Sequence, residues 1–139
     1  MTPFERWAVW GTSVATFVTG VIYLWLKYLM ANDDPFAVVN HPWQPAMLNL
    51  HVIASPLFVL IFGIIFNSHV MKKLRATRLP NRRSGYVSLG TFAAMVISGY
   101  LLQVVTNPVL RNACLVTHIA SGTVFAVSYT IHFVVGLRM

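Results

Sequence analysis

The stretch MLNLHVIASPLFVLIFGIIFNSHV, residues 47–70, decides the fold of this chain. Its 24 residues include no Asp, Glu, Lys or Arg, and a helix needs roughly 20 apolar residues to cross the hydrocarbon core of a bilayer. The apolar residues are continuous and do not alternate with polar ones, which excludes the pattern of a β-barrel strand. We therefore expect a transmembrane helix here.

Three further apolar stretches have the same character, at about residues 7–29, 85–105 and 113–137. The chain is 57% hydrophobic and only 9% charged, whereas soluble domains carry about 25% charged residues. The sequence thus predicts an all-α integral membrane four-helix bundle, a single transmembrane domain over residues 1–139 with no internal repeat. The first stretch has no small-residue cleavage site, so we expect it to stay in the mature protein.

Basic residues predict the orientation of the four helices. Six of them lie between the second and third stretches: Lys72, Lys73, Arg75, Arg78, Arg82 and Arg83. Short loops rich in Lys and Arg stay on the cytoplasmic side, which predicts a multi-pass protein of the cytoplasmic (inner) membrane with both termini cytoplasmic, Arg6 and Arg138 included. The same loop could also bind lipid headgroups or a partner. Because the net charge of +7 lies between apolar runs, it does not indicate nucleic-acid binding.

Four of the five histidines lie in or at the ends of predicted membrane helices: His51 and His69 in the second, His118 and His132 in the fourth. Ionisable side chains are costly in a bilayer and usually functional there. Their spacings are 18 and 14 residues, about 27 Å and about 21 Å of ideal helix, and each pair shares one face.

The second and fourth helices run in the same direction, so the four histidines form two opposed pairs. His51 and His118 fall near the outer surface, and His69 and His132 near the inner one. Facing imidazoles suit the axial ligation of haem iron. Cys114 is the only cysteine, so no Cys-x-x-Cys-His attachment exists and the haem would be bound non-covalently.

The unequal spacings make His69 the weakest candidate. Pro56 is expected to kink the second helix, and tilt could absorb part of the difference. The alternative is a single outer haem on His51 and His118. Gly122, on the face between His118 and His132, would leave room for a porphyrin edge.

Glycines and polar residues near these depths add weaker candidates. Gly20 and Gly99 match the outer haem in depth, and Gly11 and Gly90 match the inner one. The two glycines of each helix face opposite ways, and helix packing would explain the four glycines equally well. Outer-haem propionates could pair with Lys27 and Arg111, and inner ones with Lys72, Arg82 or Arg83. His41 could be an alternative haem ligand, a quinone contact or an ordinary loop residue. Gln103 and Asn107 are candidate quinone contacts.

Three segments carry a resemblance to a known group of proteins. They are His118-Ile-Ala-Ser-Gly122 with His132, Ser98-Gly99-Tyr100-Leu101-Leu102, and Leu50-His51-Val52 with Ser68-His69-Val70. With these segments the chain resembles four-helix di-haem b-type cytochromes, which include cytochrome b561-like proteins and the membrane subunits of formate dehydrogenases (the gamma-like type) and hydrogenases. The resemblance implies that such histidines ligate haem b. The chain departs from the dehydrogenase anchors in lacking a first-helix histidine.

The function expected from these observations is electron transfer across the membrane on two b haems, or one. The resemblance implies exchange of electrons between a quinone pool and a redox partner. We expect the partner to be a larger subunit, an iron–sulfur protein or a multihaem c-type cytochrome, so that the chain is an electron-transfer subunit more than an enzyme alone. The alternatives are a histidine-based metal or proton transporter and a cofactor-free structural membrane subunit.

Overall fold

The computed structural model describes residues 2–30, 32, 34, 36–75 and 82–137, so Arg78 and Arg138 of the predicted cytoplasmic side lie outside the described residues. Helix α1 is Pro3–Leu24 and continues as a π-helical segment, Trp25–Leu29. Helix α2 is Gln44–Ile65 and continues as a second π-helical segment, Phe66–Met71, and then as the short helix α3, Lys72–Arg75. Helices α4 and α5 are Arg82–Val104 and Pro108–Leu137. No strand occurs in these ranges.

Four of these helical stretches are long and apolar enough to cross a membrane: Pro3–Leu29, Gln44–Met71, Gly85–Val104 and Pro108–Val135. The prediction of an all-helical protein with four membrane-spanning helices is therefore confirmed. All four spans begin three to five residues before the predicted apolar run does.

Two of the early starts have visible caps. At α1, the Thr2 hydroxyl accepts a hydrogen bond from the Glu5 amide (3.1 Å), and the Glu5 carboxylate accepts one from the Thr2 amide (2.7 Å). At α5, the Asn107 side-chain oxygen accepts from the amides of Val109 (3.0 Å) and Leu110 (3.2 Å). Both helices place a proline first, where its missing amide proton costs nothing.

The chain divides into two compact units, Met1–Lys72 and Lys73–Met139. In the first hairpin α1 packs against α2, and in the second hairpin α4 packs against α5. The buried apolar side chains of the first hairpin are Val9, Leu26, Phe58 and Ile65, and those of the second are Phe92 and Phe125. Most other large apolar side chains are exposed, as expected of helices whose solvent is lipid.

Hydroxyl side chains within the helices are satisfied locally. Most of them donate to a carbonyl three or four residues earlier in the same helix: Thr12, Thr16, Thr19, Ser55, Thr91, Ser98, Ser121, Thr123 and Thr130. Ser88 instead donates to the hydroxyl of Ser128 (2.9 Å), which joins α4 to α5. An unsatisfied polar group is costly in hydrocarbon, so this arrangement suits membrane helices.

The cytoplasmic location of both termini stays a prediction. We expect green fluorescent protein fused after Met139 to fluoresce, and alkaline phosphatase fused at the same point to be inactive. The basic loop between the second and third spans is expected in the cytoplasm, and four spans then place both termini on that side. Fusion at Val38, in the first outer loop, should reverse both readings. Active phosphatase after Met139 would contradict the orientation.

Candidate functional site

His51 of α2 is held by the backbone of α1. Its Nδ1 lies 2.9 Å from the carbonyl oxygen of Thr16 and 3.4 Å from the hydroxyl of Thr19. A carbonyl oxygen only accepts hydrogen bonds, so Nδ1 carries the proton and donates it. In a neutral imidazole the lone pair is then on Nε2.

Gly20 allows this close approach. A Cβ added at Gly20 would lie 2.9 Å from Cε1 and 3.0 Å from Nδ1 of His51, distances at which the ring would have to move. The imidazole therefore packs directly on the backbone of α1. This confirms, within the first hairpin, that Gly20 and His51 lie at one depth.

His118 of α5 is held in the same way by α4. Its Nδ1 donates to the carbonyl oxygen of Met95 (2.9 Å) and lies 3.5 Å from the hydroxyl of Ser98. A Cβ added at Gly99 would lie 2.8 Å from Cε1 and 3.1 Å from Nδ1 of His118. His118, like His51, is half-buried and has its lone pair on Nε2.

Gly122 has a different role from Gly99. A Cβ at Gly122 would meet the sulfur of Met95 at 3.6 Å, an ordinary van der Waals contact. Gly122 thus lies beside the residue whose carbonyl accepts from His118. A methyl group there would be tolerated without rearrangement.

His132 lies near the other end of α5, half-buried and beyond a row of aromatic rings. The ring of Phe125 packs against Phe92 (centroids 5.7 Å apart) and stacks on Tyr129 (5.6 Å, planes at 10°), and Tyr129 contacts Phe133 (6.2 Å). These aromatic rings therefore form a continuous row on α5 from Phe125 to Phe133.

His69 lies in the π-helical segment Phe66–Met71 and is half-buried. A π-helix closes its hydrogen bonds five residues apart, so it rises less and turns less per residue than an α-helix. The axial separation of His51 and His69 is therefore shorter than the about 27 Å of an ideal α-helix, and His69 is rotated from the face expected for it. The structure thus reduces the mismatch in spacing but changes the direction of His69.

The two basic residues proposed for propionates have distinct surroundings. Lys27 lies in the π-helical segment Trp25–Leu29, where its ammonium group contacts the hydroxyl of Tyr23 (3.0 Å) and lies over the rings of Tyr23 and Tyr28 (5.4 and 5.2 Å). Arg111 is exposed in the first turn of α5. Their pairing with haem propionates stays a prediction.

Side-chain hydrogen bonds order the loop before α2, and they include one made by His41, whose role the sequence left undecided. His41 Nδ1 accepts from the amide of Trp43 (3.1 Å), which supports an ordinary loop role. The side-chain amide of Asn40 donates to the carbonyl of Lys27 (2.7 Å), and its backbone amide donates to the side-chain oxygen of Gln44 (3.1 Å). Asn107, considered as a quinone contact, caps α5.

Comparison with known protein families, with curated proteins and with solved structures gives no match. In the described part of the chain, no three His, Cys, Asp or Glu side chains form a group that could hold a metal ion. Haem iron needs only one or two protein ligands, because the porphyrin supplies the others.

Sequence reasoning missed the groups that hold the two imidazoles: the carbonyls of Thr16 and Met95 and the nearby hydroxyls of Thr19 and Ser98. A signal for them was present. Residues 11–20 and 90–99 share the pattern Gly-Thr-x-x-Ala-x-x-x-[Thr/Ser]-Gly. The expectation of no internal repeat did not take this short shared pattern into account.

Proposed function

We propose that this protein carries electrons through a lipid bilayer on b-type haem bound by its membrane histidines. The observation that carries the proposal is the state of His51 and His118: each lies within a membrane-spanning helix, donates Nδ1–H to a backbone carbonyl, and so keeps the lone pair on Nε2. Histidines that bind metals usually make this second-shell hydrogen bond, which fixes the tautomer and the ring orientation.

The donor set also fits the cofactor. Neutral imidazoles ligate haem iron without adding charge in the membrane, where charge is costly. When bound, the haem would supply a reversible one-electron change at iron. The protein's residues would hold the ring nitrogens in place and exclude water with apolar side chains such as Phe58 and Phe125, which are 3% and 6% exposed.

The proposed ligand sets are those expected from the sequence. His51 and His118 would bind one haem, and His69 and His132 a second, with Lys27 and Arg111 near the propionates of the first. Support is strongest for His51 and His118, because their Nδ1 contacts are defined. His69, in a π-helical segment, has less support.

We further propose that electrons pass between a quinone and a larger redox protein, either an iron–sulfur protein or a multihaem c-type cytochrome. The support is the expected position of two haems near opposite surfaces, which would link the two sides of the membrane. The proposed location is the cytoplasmic membrane.

The test is an absorption spectrum of the purified protein produced with a sufficient haem supply. We expect b-type bands on reduction, and a pyridine haemochrome assay should give about two haems per chain, one for each pair of histidines. A chain that folds in detergent, as judged by its helical circular dichroism, and binds no haem would overturn the proposal.

A further inference from the structure

The two hairpins repeat one pattern of residues. On the first helix of each, Gly11-Thr-x-x-Ala-x-x-x-Thr-Gly20 corresponds to Gly90-Thr-x-x-Ala-x-x-x-Ser-Gly99. On the second helix of each, Leu-x-x-His-x6-Phe-x3-[Phe/Tyr] occurs at residues 48–62 and 115–129. The separation from the last glycine to the histidine is 31 residues in one hairpin and 19 in the other, because the connecting loops differ in length. The repeat therefore has no fixed period along the chain.

Equivalent residues make equivalent contacts. The histidine of each pattern packs on the last glycine of the preceding helix and donates Nδ1–H at 2.9 Å to the carbonyl four residues before that glycine. The phenylalanine seven residues after each histidine, Phe58 or Phe125, is buried. The sequence match alone is short, and the shared contacts are what make the two hairpins two copies of one unit.

Helix geometry explains why the glycine follows the accepting carbonyl by four residues. In an α-helix the carbonyl of residue i accepts from the amide of residue i+4, so Thr16 and Gly20 are adjacent on one face, as are Met95 and Gly99. A ring that reaches the carbonyl must lie across residue i+4. Any side chain at that position would meet the ring, and glycine leaves the space open.

We infer that Gly20 and Gly99 are equivalent positioning residues, which hold His51 and His118 in the one ring orientation and tautomer that can ligate iron. The inference rests on the proposed function and names how the two ligands are prepared for the same haem. The carbonyls of Thr16 and Met95 set the tautomer, and the two glycines set the ring plane.

The equivalence ends before the second pair of histidines. The counterpart of His132, seven residues after Phe125, is Ile65, seven residues after Phe58. Ile65 is buried, and the π-helical segment that contains His69 begins at the next residue. The internal duplication thus produces one matched pair of ligands, His51 and His118, and leaves His69 and His132 unmatched.

The experiment compares four glycine variants of the full chain. Gly20→Ala and Gly99→Ala should each lower the affinity for one haem by roughly 10- to 100-fold, the usual effect of disturbing a second-shell contact, and should shift the electron paramagnetic resonance signal of that oxidised haem. Gly63→Ala and Gly85→Ala are the controls, because an added Cβ there meets none of the described residues within 4 Å. Both controls should keep the haem content and the signal of the wild type.

A second measurement does not depend on any variant folding. In the reduced, diamagnetic wild-type protein labelled with ¹⁵N-histidine, His51 and His118 should each show a hydrogen-bonded Nδ1–H. Absence of that proton on either ring would overturn the inference.

The outcomes separate the inference from the proposed function. A wild-type chain that binds no haem overturns the function. A wild type that binds haem, with glycine variants at positions 20 and 99 indistinguishable from those at 63 and 85, overturns the positioning role alone. An effect at only one of positions 20 and 99 overturns their equivalence.

Discussion

Replacing His118 with alanine is expected to remove one haem from the protein and leave the other in place. His118 is held by the Met95 carbonyl and packs on Gly99, and alanine has no nitrogen that could replace its imidazole as an iron ligand. The loss of affinity should exceed the roughly 10- to 100-fold typical of second-shell changes, because an iron ligand itself is lost. His51→Ala should give the same result, since both residues would ligate the same haem.

The haemochrome assay gives the measurement, with the count falling from about two haems per chain to about one. The matched control is His41→Ala, which removes a histidine from a loop where its Nδ1 only accepts from the Trp43 amide; its haem content should equal that of the wild type. If the His51→Ala, His118→Ala double variant retained the full haem content, the assignment of both ligands would be wrong.

The second large effect is expected at the other pair. His132→Ala should remove the remaining haem and spare the one bound by His51 and His118, because His132 lies beyond the Phe125 and Tyr129 rings on the same helix. His69→Ala should remove the same haem if the π-helical segment directs its imidazole to the iron. Separate redox titrations of the two variants should show one midpoint potential missing, and the same one in each.

Asn67→Ala is the control for this pair, because Asn67 is exposed in the same π-helical segment as His69. Haem content that is normal in His69→Ala and halved in His132→Ala would mean that the second haem takes its other ligand elsewhere. Normal content in both would mean that neither histidine ligates a haem.

Much of the fold followed from composition and run length. Four spans were predicted, and the structure contains them, because a membrane helix is set mainly by how many apolar residues are continuous. The helix starts at Pro3 and Pro108 were missed, since a capping side chain such as Asn107 extends a helix beyond its apolar part. The π-helical segments could not be predicted, because their cause is packing and not local composition.

The candidate site was only half predictable. The choice of His51 and His118 came from their depth and shared direction, and the expectation that paired glycines face opposite ways agrees with open space at Gly11 and a tight contact at Gly20. What spacing alone could not show is that a backbone carbonyl fixes each tautomer. The residue type does not reveal which carbonyl accepts the hydrogen bond. The only sequence signal for it is the glycine four residues later.

The self-contained hydrogen bonding of the helix hydroxyls has a consequence for biogenesis. A span whose Ser and Thr groups already donate to its own backbone, as Thr12 and Thr130 do, can leave the translocon and enter lipid alone. By contrast, the two imidazoles and the Ser88 hydroxyl use partners on a neighbouring helix. Insertion of the individual spans can therefore precede the packing of helices against one another, which is the later step at which these hydrogen bonds form.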